Sequence, residues 1–178
     1  MVIVDKKLLI PKEMIQKKVK ELAEHIDRDF KDEEITIICV LKGAFIFTSD
    51  LVRLIKNLKC NIEFLKISSY GSNTVSSGIV TLPKYTHIKN IANKNVIIVE
   101  DILDTGLTLK TLVEFLKKMN PKSLKTCVLL NKKERRKVEF EADYVGFEIE
   151  DKFVIGYGLD YDERFRQLPE IYYITNHG

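Results

Sequence analysis

The chain has only three cysteines and three histidines in 178 residues, no long uncharged apolar run, and no large excess of either charge. Cys39, Cys60 and Cys127 are odd in number and widely spaced, which argues against a disulfide framework and reads as buried thiols in a reducing compartment. His25, His87 and His177 lie too far apart for zinc-ligand spacing. Apolar runs are too short to span a bilayer and the N-terminus has no signal-peptide core, so no membrane partner and a cytoplasmic location are expected. A dispersed net charge of +3 offers nucleic acid no footing. The one basic run, Lys132-Lys133 and Arg135-Arg136-Lys137, reads as a solvated face. No repeat or low-complexity segment is visible, and the length suits one domain of two packed layers.

What is present centres on Val96-Ile97-Ile98-Val99, followed by Glu100, Asp101, Ile102, Leu103, Asp104, Thr105, Gly106, Leu107 and Thr108. The β-branched run reads as a buried parallel strand that ends where the carboxylates begin. Leu109, Leu112, Val113, Leu116 and Met119 then recur at helical spacing, so Asp104 to Thr108 occupy the turn that opens a helix. Unpaired N–H groups, the positive end of the helix dipole and two threonine hydroxyls make that turn an anion cradle, and Gly106 permits close approach. Glu100 and Asp101 would repel a phosphate unless they held sugar hydroxyls or a divalent metal. Taken singly, any residue from Asp104 to Thr108 would be an ordinary helix cap; the constellation is what points to a ligand.

Around this motif, strands and helices alternate. Ile15, Val19, Leu22 and Ile26 mark an amphipathic helix beginning near Pro11, and Ile35 to Leu41 a central strand. That strand breaks at Lys42-Gly43 into a helix marked by Phe47, Leu51, Leu54, Ile55 and Leu58. Ile62 to Ile67 and Leu124 to Leu130 supply further strands. Between residues 69 and about 93 periodicity dissolves, as in a lid or an unresolved hairpin. The alternation predicts an α/β fold, a parallel twisted sheet flanked by helices, with ligands at the carboxyl ends of its strands. Glu100, Asp101, Lys42 and Lys132 are expected just past such ends. Short β-like runs from Tyr144 to Ile149 and Phe153 to Asp160 suggest a small hood subdomain, about residues 140–178 plus 1–10, over a core of about 30–135.

The central motif resembles the phosphoribosyl pyrophosphate (PRPP) site of the type I phosphoribosyltransferases: a strand, two acidic residues, then Asp-Thr-Gly-x-Thr. Leu41-Lys42-Gly43-Ala44 is similar to the pyrophosphate loop of their hypoxanthine-guanine branch, Ser69-Tyr70 to the start of the family's mobile loop, and residues 145–166 to its purine-recognition region. The resemblance implies that Glu100, Asp101 and Asp104 through Thr108 hold PRPP, with Asp104 the general base. Lys42, Gly43 and Arg166 would meet pyrophosphate. Lys132 would donate to the oxygen on purine carbon six, Phe153 cover the ring and the Val154 backbone read its edge. Ser69 and Tyr70 would belong to the lid. Mg2+ is the implied cofactor, with Glu100, Asp101 and Asp160 as its oxygen ligands, and the implied assembly is a homodimer or homotetramer. Leu107 stands where some members carry lysine, which implies weaker phosphate affinity. Read alone, Lys132 would be a surface lysine, Phe153 a core aromatic, and Asp160 and Arg166 a surface ion pair. The implied activity is purine salvage, the transfer of phosphoribose from PRPP to hypoxanthine or guanine. A nucleic-acid-binding regulator of the same fold would need a basic face, and an enzyme for xanthine or a pyrimidine would need different pocket chemistry.

Overall fold

The computed structural model describes residues 5–57, 59–69, 80–81, 88 and 90–175. Five parallel strands form the central sheet: β2 (Ile35–Leu41), β3 (Cys60–Lys66), β6 (Asn95–Leu103), β7 (Ser123–Asn131) and β8 (Tyr144–Glu148), in the order β3-β2-β6-β7-β8. Every side chain of β2 from Ile35 to Val40 is buried, as is each from Asn95 to Val99 in β6. These strands lack polar alternation because both sheet faces are covered. Ile35, Ile37, Ile97 and Val99 face helices α1 (Lys12–Asp29) and α2 (Phe45–Leu54), whereas Ile38, Val40, Val96 and Ile98 face α3 (Leu107–Lys117).

Helix α1 buries Ile15, Val19, Leu22, Ala23 and Ile26 at helical spacing, each large aliphatic side chain contributing about 1.5–3 kcal/mol of transfer free energy. Leu54, expected on the buried face of α2, is exposed, because α2 ends there; Leu58 lies outside the described residues. A smaller antiparallel sheet of β1 (Lys6–Ile10), β10 (Ile171–Ile174) and β9 (Val154–Ile155), in the order β1-β10-β9, carries the final third of the chain.

One sequence expectation changes here: strand β8 pairs in parallel with β7 and completes the central sheet, so residues 144–148 are not part of the hood. In the stretch read as a lid or a hairpin, β4 (Ser68–Ser69) pairs antiparallel with β5 (Val80–Thr81), and Ile88 and Ile91 are buried against the α3 face. Tyr70 lies outside the described residues.

The sheet order positions the site. From β2 the chain runs outward to β3 and returns on the other side of β2 as β6, so connections leave β2 and β6 in opposite directions. This reversal opens a crevice at the carboxyl ends of those two strands.

Candidate functional site

A cleft of about 620 Å3 occupies that crevice. One wall is Lys42-Gly43, the turn between β2 and α2, preceded by a cis peptide bond between Leu41 and Lys42. The opposite wall is the β6–α3 turn with Asp104, Thr105, Gly106 and Thr108, and Asp160, Glu163 and Arg166 close the cleft from the hood side. Leu107, the first residue of α3, is half-buried and does not line the cleft.

Gly106 caps α3 with φ 83°, a left-handed backbone that suits glycine. Gly106 rather than Asp104 or Thr105 is the cap residue, although the Leu107 N–H donates to Thr105 Oγ1 at 3.4 Å. The first N–H groups of α3 have no intrahelical acceptors and face the anion-friendly end of the helix dipole.

Glu100 and Asp101 line the same cleft, but as members of β6, which runs on to Leu103. The expectation that they follow the strand is therefore corrected. Pairing with β7 continues past them, through Glu100 to Val128 and Leu103 to Asn131, and the ladder fixes both carboxylates on a rigid element. Lys42 and Lys132 do follow strand ends, one residue after β2 and β7. Burial pushes the Glu100 carboxyl well above its usual range, and the neighbouring Asp101 charge adds to the shift. Asp101 is also raised by burial, opposed by its hydrogen bonds with Glu100 and the Ile102 N–H. Two adjacent carboxyls held up in this way would ionise more readily beside a cation.

Their chemistry fits magnesium. Glu100, Asp101 and Asp160 offer only hard oxygen donors around one cleft. Among the described residues no three acidic, histidine or cysteine side chains converge to cage a metal. Magnesium does not require such a cage, since it keeps several waters and bridges one or two carboxylates to phosphates.

Close backbone approaches hold the walls together. A Cβ on Gly43 would stand 1.6 Å from Asp101 Oδ2, and one on Gly158 would stand 2.1 Å from the Gly43 carbonyl oxygen. Asp101, Gly43 and Gly158 thus stack with no side-chain atom to separate the last two backbones.

Charges alternate on the hood side. Lys42 Nζ lies 2.7 Å from Glu163 Oε2, and Arg166 Nη2 lies 3.0 Å from Asp160 Oδ1 and 3.4 Å from Glu163 Oε1. The hydrogen bond from Lys42 holds the Glu163 carboxyl below its usual range. Arg166 Nη1 donates to the Gly158 carbonyl at 2.8 Å.

Of the basic run after β7, Lys133, Arg135 and Lys137 are exposed, as a solvated face requires, but Lys132 and Arg136 are drawn inward. Lys132 is only 4% exposed, because its N–H donates to the Leu103 carbonyl and tucks the residue against the β6 end. Arg136 donates to the Asp104 carbonyl at 2.6 Å and to Asn131 Oδ1 at 2.5 Å, and the Lys137 N–H donates to the Thr105 carbonyl at 2.9 Å. Arg135 Nε stands 3.3 Å from Asp104 Oδ1 and its Nη1 3.6 Å from Asp151 Oδ1, which is 3.8 Å from Lys132 Nζ. Asp104 and Lys132 therefore share one charge network. Burial lowers the Lys132 pKa, and the Asp104 and Asp151 charges oppose that effect.

Lys132, Phe153 and Val154 lie outside the cleft lining, on the side reached through Asp104 and Asp151. Phe153 is 41% exposed and meets Tyr161 edge-to-face at 5.7 Å, while Val154 is buried in β9. Ser69 is in β4. Sequence reasoning missed Arg135, Arg136, Asp151 and Glu163. A run of like charges was the only signal for the first two, and it pointed to solvent.

Comparisons with known proteins show the family and the fold. The family model described as "Phosphoribosyl transferase domain" matches residues 11–162. The hypoxanthine-guanine phosphoribosyltransferase of Aquifex aeolicus is 50% identical over 171 residues, covering 96% of this chain and 95% of that protein. A solved hypoxanthine-guanine phosphoribosyltransferase from Bacillus anthracis, with a HEPES molecule in its active site, superposes with a TM-score of 0.88 at 48% identity, covering 97% of this chain and 98% of that one. A Trypanosoma cruzi hypoxanthine phosphoribosyl transferase, studied for the role of its C-terminal region in oligomeric state and activity, gives a TM-score of 0.88 at 41% identity, with 98% and 94% covered.

Proposed function

The chain belongs to the phosphoribosyltransferase family, in its hypoxanthine-guanine branch, and from that premise we propose how its cleft performs the transfer of phosphoribose from PRPP to hypoxanthine or guanine. The observation that carries the reading is the placement of two anion-binding turns, Lys42-Gly43 and Asp104 to Thr108, across one crevice with Glu100 and Asp101 between them. The first turn of α3, with the Thr105 and Thr108 hydroxyls, holds the 5-phosphate. Glu100 and Asp101 hold the ribose hydroxyls from the rigid end of β6. Lys42, the Gly43 amide and Arg166 face the pyrophosphate and stabilise the charge that gathers on it as the anomeric bond breaks.

Glu100, Asp101 and Asp160 would hold magnesium, which would supply neutralising charge for the leaving pyrophosphate. Asp104 takes the proton that the purine nitrogen sheds as it attacks the oxocarbenium-like carbon. Arg136 and Lys137 grip the backbone of that turn, so the carboxylate keeps its place. Lys132 donates to the oxygen on purine carbon six, the exposed Phe153 ring covers the base, and the Val154 backbone reads its edge. Ser69 and Tyr70 begin the lid. The enzyme works in the cytoplasm as a homodimer or homotetramer, an assembly that light scattering with size-exclusion chromatography will decide.

The test is a spectrophotometric assay with PRPP, magnesium and each base in turn. Turnover with hypoxanthine and guanine, abolished by chelating magnesium, is expected. Turnover confined to another base, or none with any base, would overturn the proposal.

A further inference from the structure

Glu163 occupies an unusual place. Tyr161 and Arg164 exchange backbone N–H···O bonds of 3.1 Å each way, so Asp162 and Glu163 are the central pair of a two-residue hairpin turn. Both have positive φ, 51° and 60°, the turn class that favours asparagine followed by glycine. A glutamate in the glycine position is conformationally costly, and such strain collects where a side chain has work to do. This side chain lines the cleft and bridges two cations, with Oε2 2.7 Å from Lys42 Nζ and Oε1 3.4 Å from Arg166 Nη2. Lys42 and Arg166 are the cations that face pyrophosphate in the proposed function, on which this inference rests.

We infer that Glu163 is an internal counter-anion, spanning Lys42 and Arg166 until pyrophosphate displaces it. Without a ligand, the carboxylate keeps two like charges from repelling one another across the cleft mouth. Its side chain is 64% exposed, so it can swing into water when a multiply charged, bidentate ligand claims both cations. Each arrival of pyrophosphate, free or as part of PRPP, breaks these two contacts, and each departure restores them. Glu163 thus weakens pyrophosphate binding and hastens its release.

Magnesium pyrophosphate titrated calorimetrically into the full chain tests this, with the parent, Glu163→Gln, Glu163→Gly and Asp162→Asn compared. Glu163→Gly removes the carboxylate and relieves the turn, so a folding defect cannot mimic the result. Among the described residues Asp162 has no ion pair with Lys42 or Arg166, so its variant reports the effect of general charge removal. Both Glu163 variants should bind pyrophosphate about two- to fivefold more tightly, as expected for loss of an exposed competing ion pair, with the KM for the base unchanged. Unchanged or weaker binding in both would overturn the inference, as would equal tightening in Asp162→Asn. If the parent neither binds magnesium pyrophosphate nor turns over PRPP, the proposed function falls and the inference with it.

Discussion

Replacing Lys132 by Met separates recognition of the base from stability of the fold. The Lys132 ammonium lies under nearly complete burial, and its nearest carboxylate, Asp151 Oδ1, is 3.8 Å away, beyond hydrogen-bond reach. Beyond that ion pair the ammonium keeps donor capacity for a further acceptor. A hydrogen bond from a charged donor is worth about 1.5–3 kcal/mol, and about 1.4 kcal/mol is a factor of ten, so its loss should raise the KM for hypoxanthine about 10- to 100-fold. The KM for PRPP should stay near that of the parent. Met keeps the length and most of the apolar stem, so packing survives.

Stability should move the other way. Burial lowers the Lys132 pKa, which means that the folded state disfavours its charge. The penalty is in force at neutral pH and fades as pH rises through the folded value toward the unfolded one, so Lys132→Met should match or exceed the parent Tm at pH 7. Initial rates with each substrate varied against saturation by the other, together with melting curves, give all three quantities. A parallel rise of both KM values would remove Lys132 from the purine pocket, and a fall in Tm would show that its charge supports the fold.

Asp104→Asn keeps the grip of Arg136 and Lys137 on the turn, so turnover should fall about 10²–10⁴-fold with Tm and PRPP affinity little changed; turnover within a few-fold of the parent would dismiss Asp104 as the base. Glu100→Gln should raise Tm at neutral pH while weakening magnesium-dependent PRPP binding. Because the folded Glu100 pKa is raised, its favourable contribution is present below the unfolded pKa and lost as pH rises through the folded one, so the gain should shrink toward pH ~4. A gain that did not vary with pH would contradict this account. Gly43→Ala drives a methyl into the Asp101 carboxylate, and PRPP binding should suffer more than base binding, as a comparison of the two KM values would reveal; equal loss would point to general damage.

The core was legible because the strands buried on both faces and the amphipathic helices carry their periods in every residue, as Ile35 to Val40 and Ile15 to Ile26 do. The β6–α3 turn was legible through its density of acids, hydroxyls and glycine. Strand β8 was misplaced because its crossover from β7 contains only the short helical turn Lys133–Arg135, and a parallel strand without a crossover helix looks like the start of something new. Strand β9 is two residues long, too short to express a period. The roles of Arg135 and Arg136 were hidden because a guanidinium facing protein carboxylates or carbonyls and one facing water have the same composition. Glu163 was hidden because its turn lacks the glycine that announces such hairpins.

The stacking of Asp101, Gly43 and Gly158 brings together a central strand, the turn after its neighbour and the hood, three segments far apart in sequence. The walls of the anion pocket meet only when all three segments are in place, so a complete pocket reports that both sheet and hood have folded. A chain whose sheet had formed ahead of its hood would lack Asp160 and Arg166 at the cleft and would bind pyrophosphate poorly. In a denaturant titration, loss of PRPP binding should precede or coincide with loss of the sheet signal, and should never lag behind it.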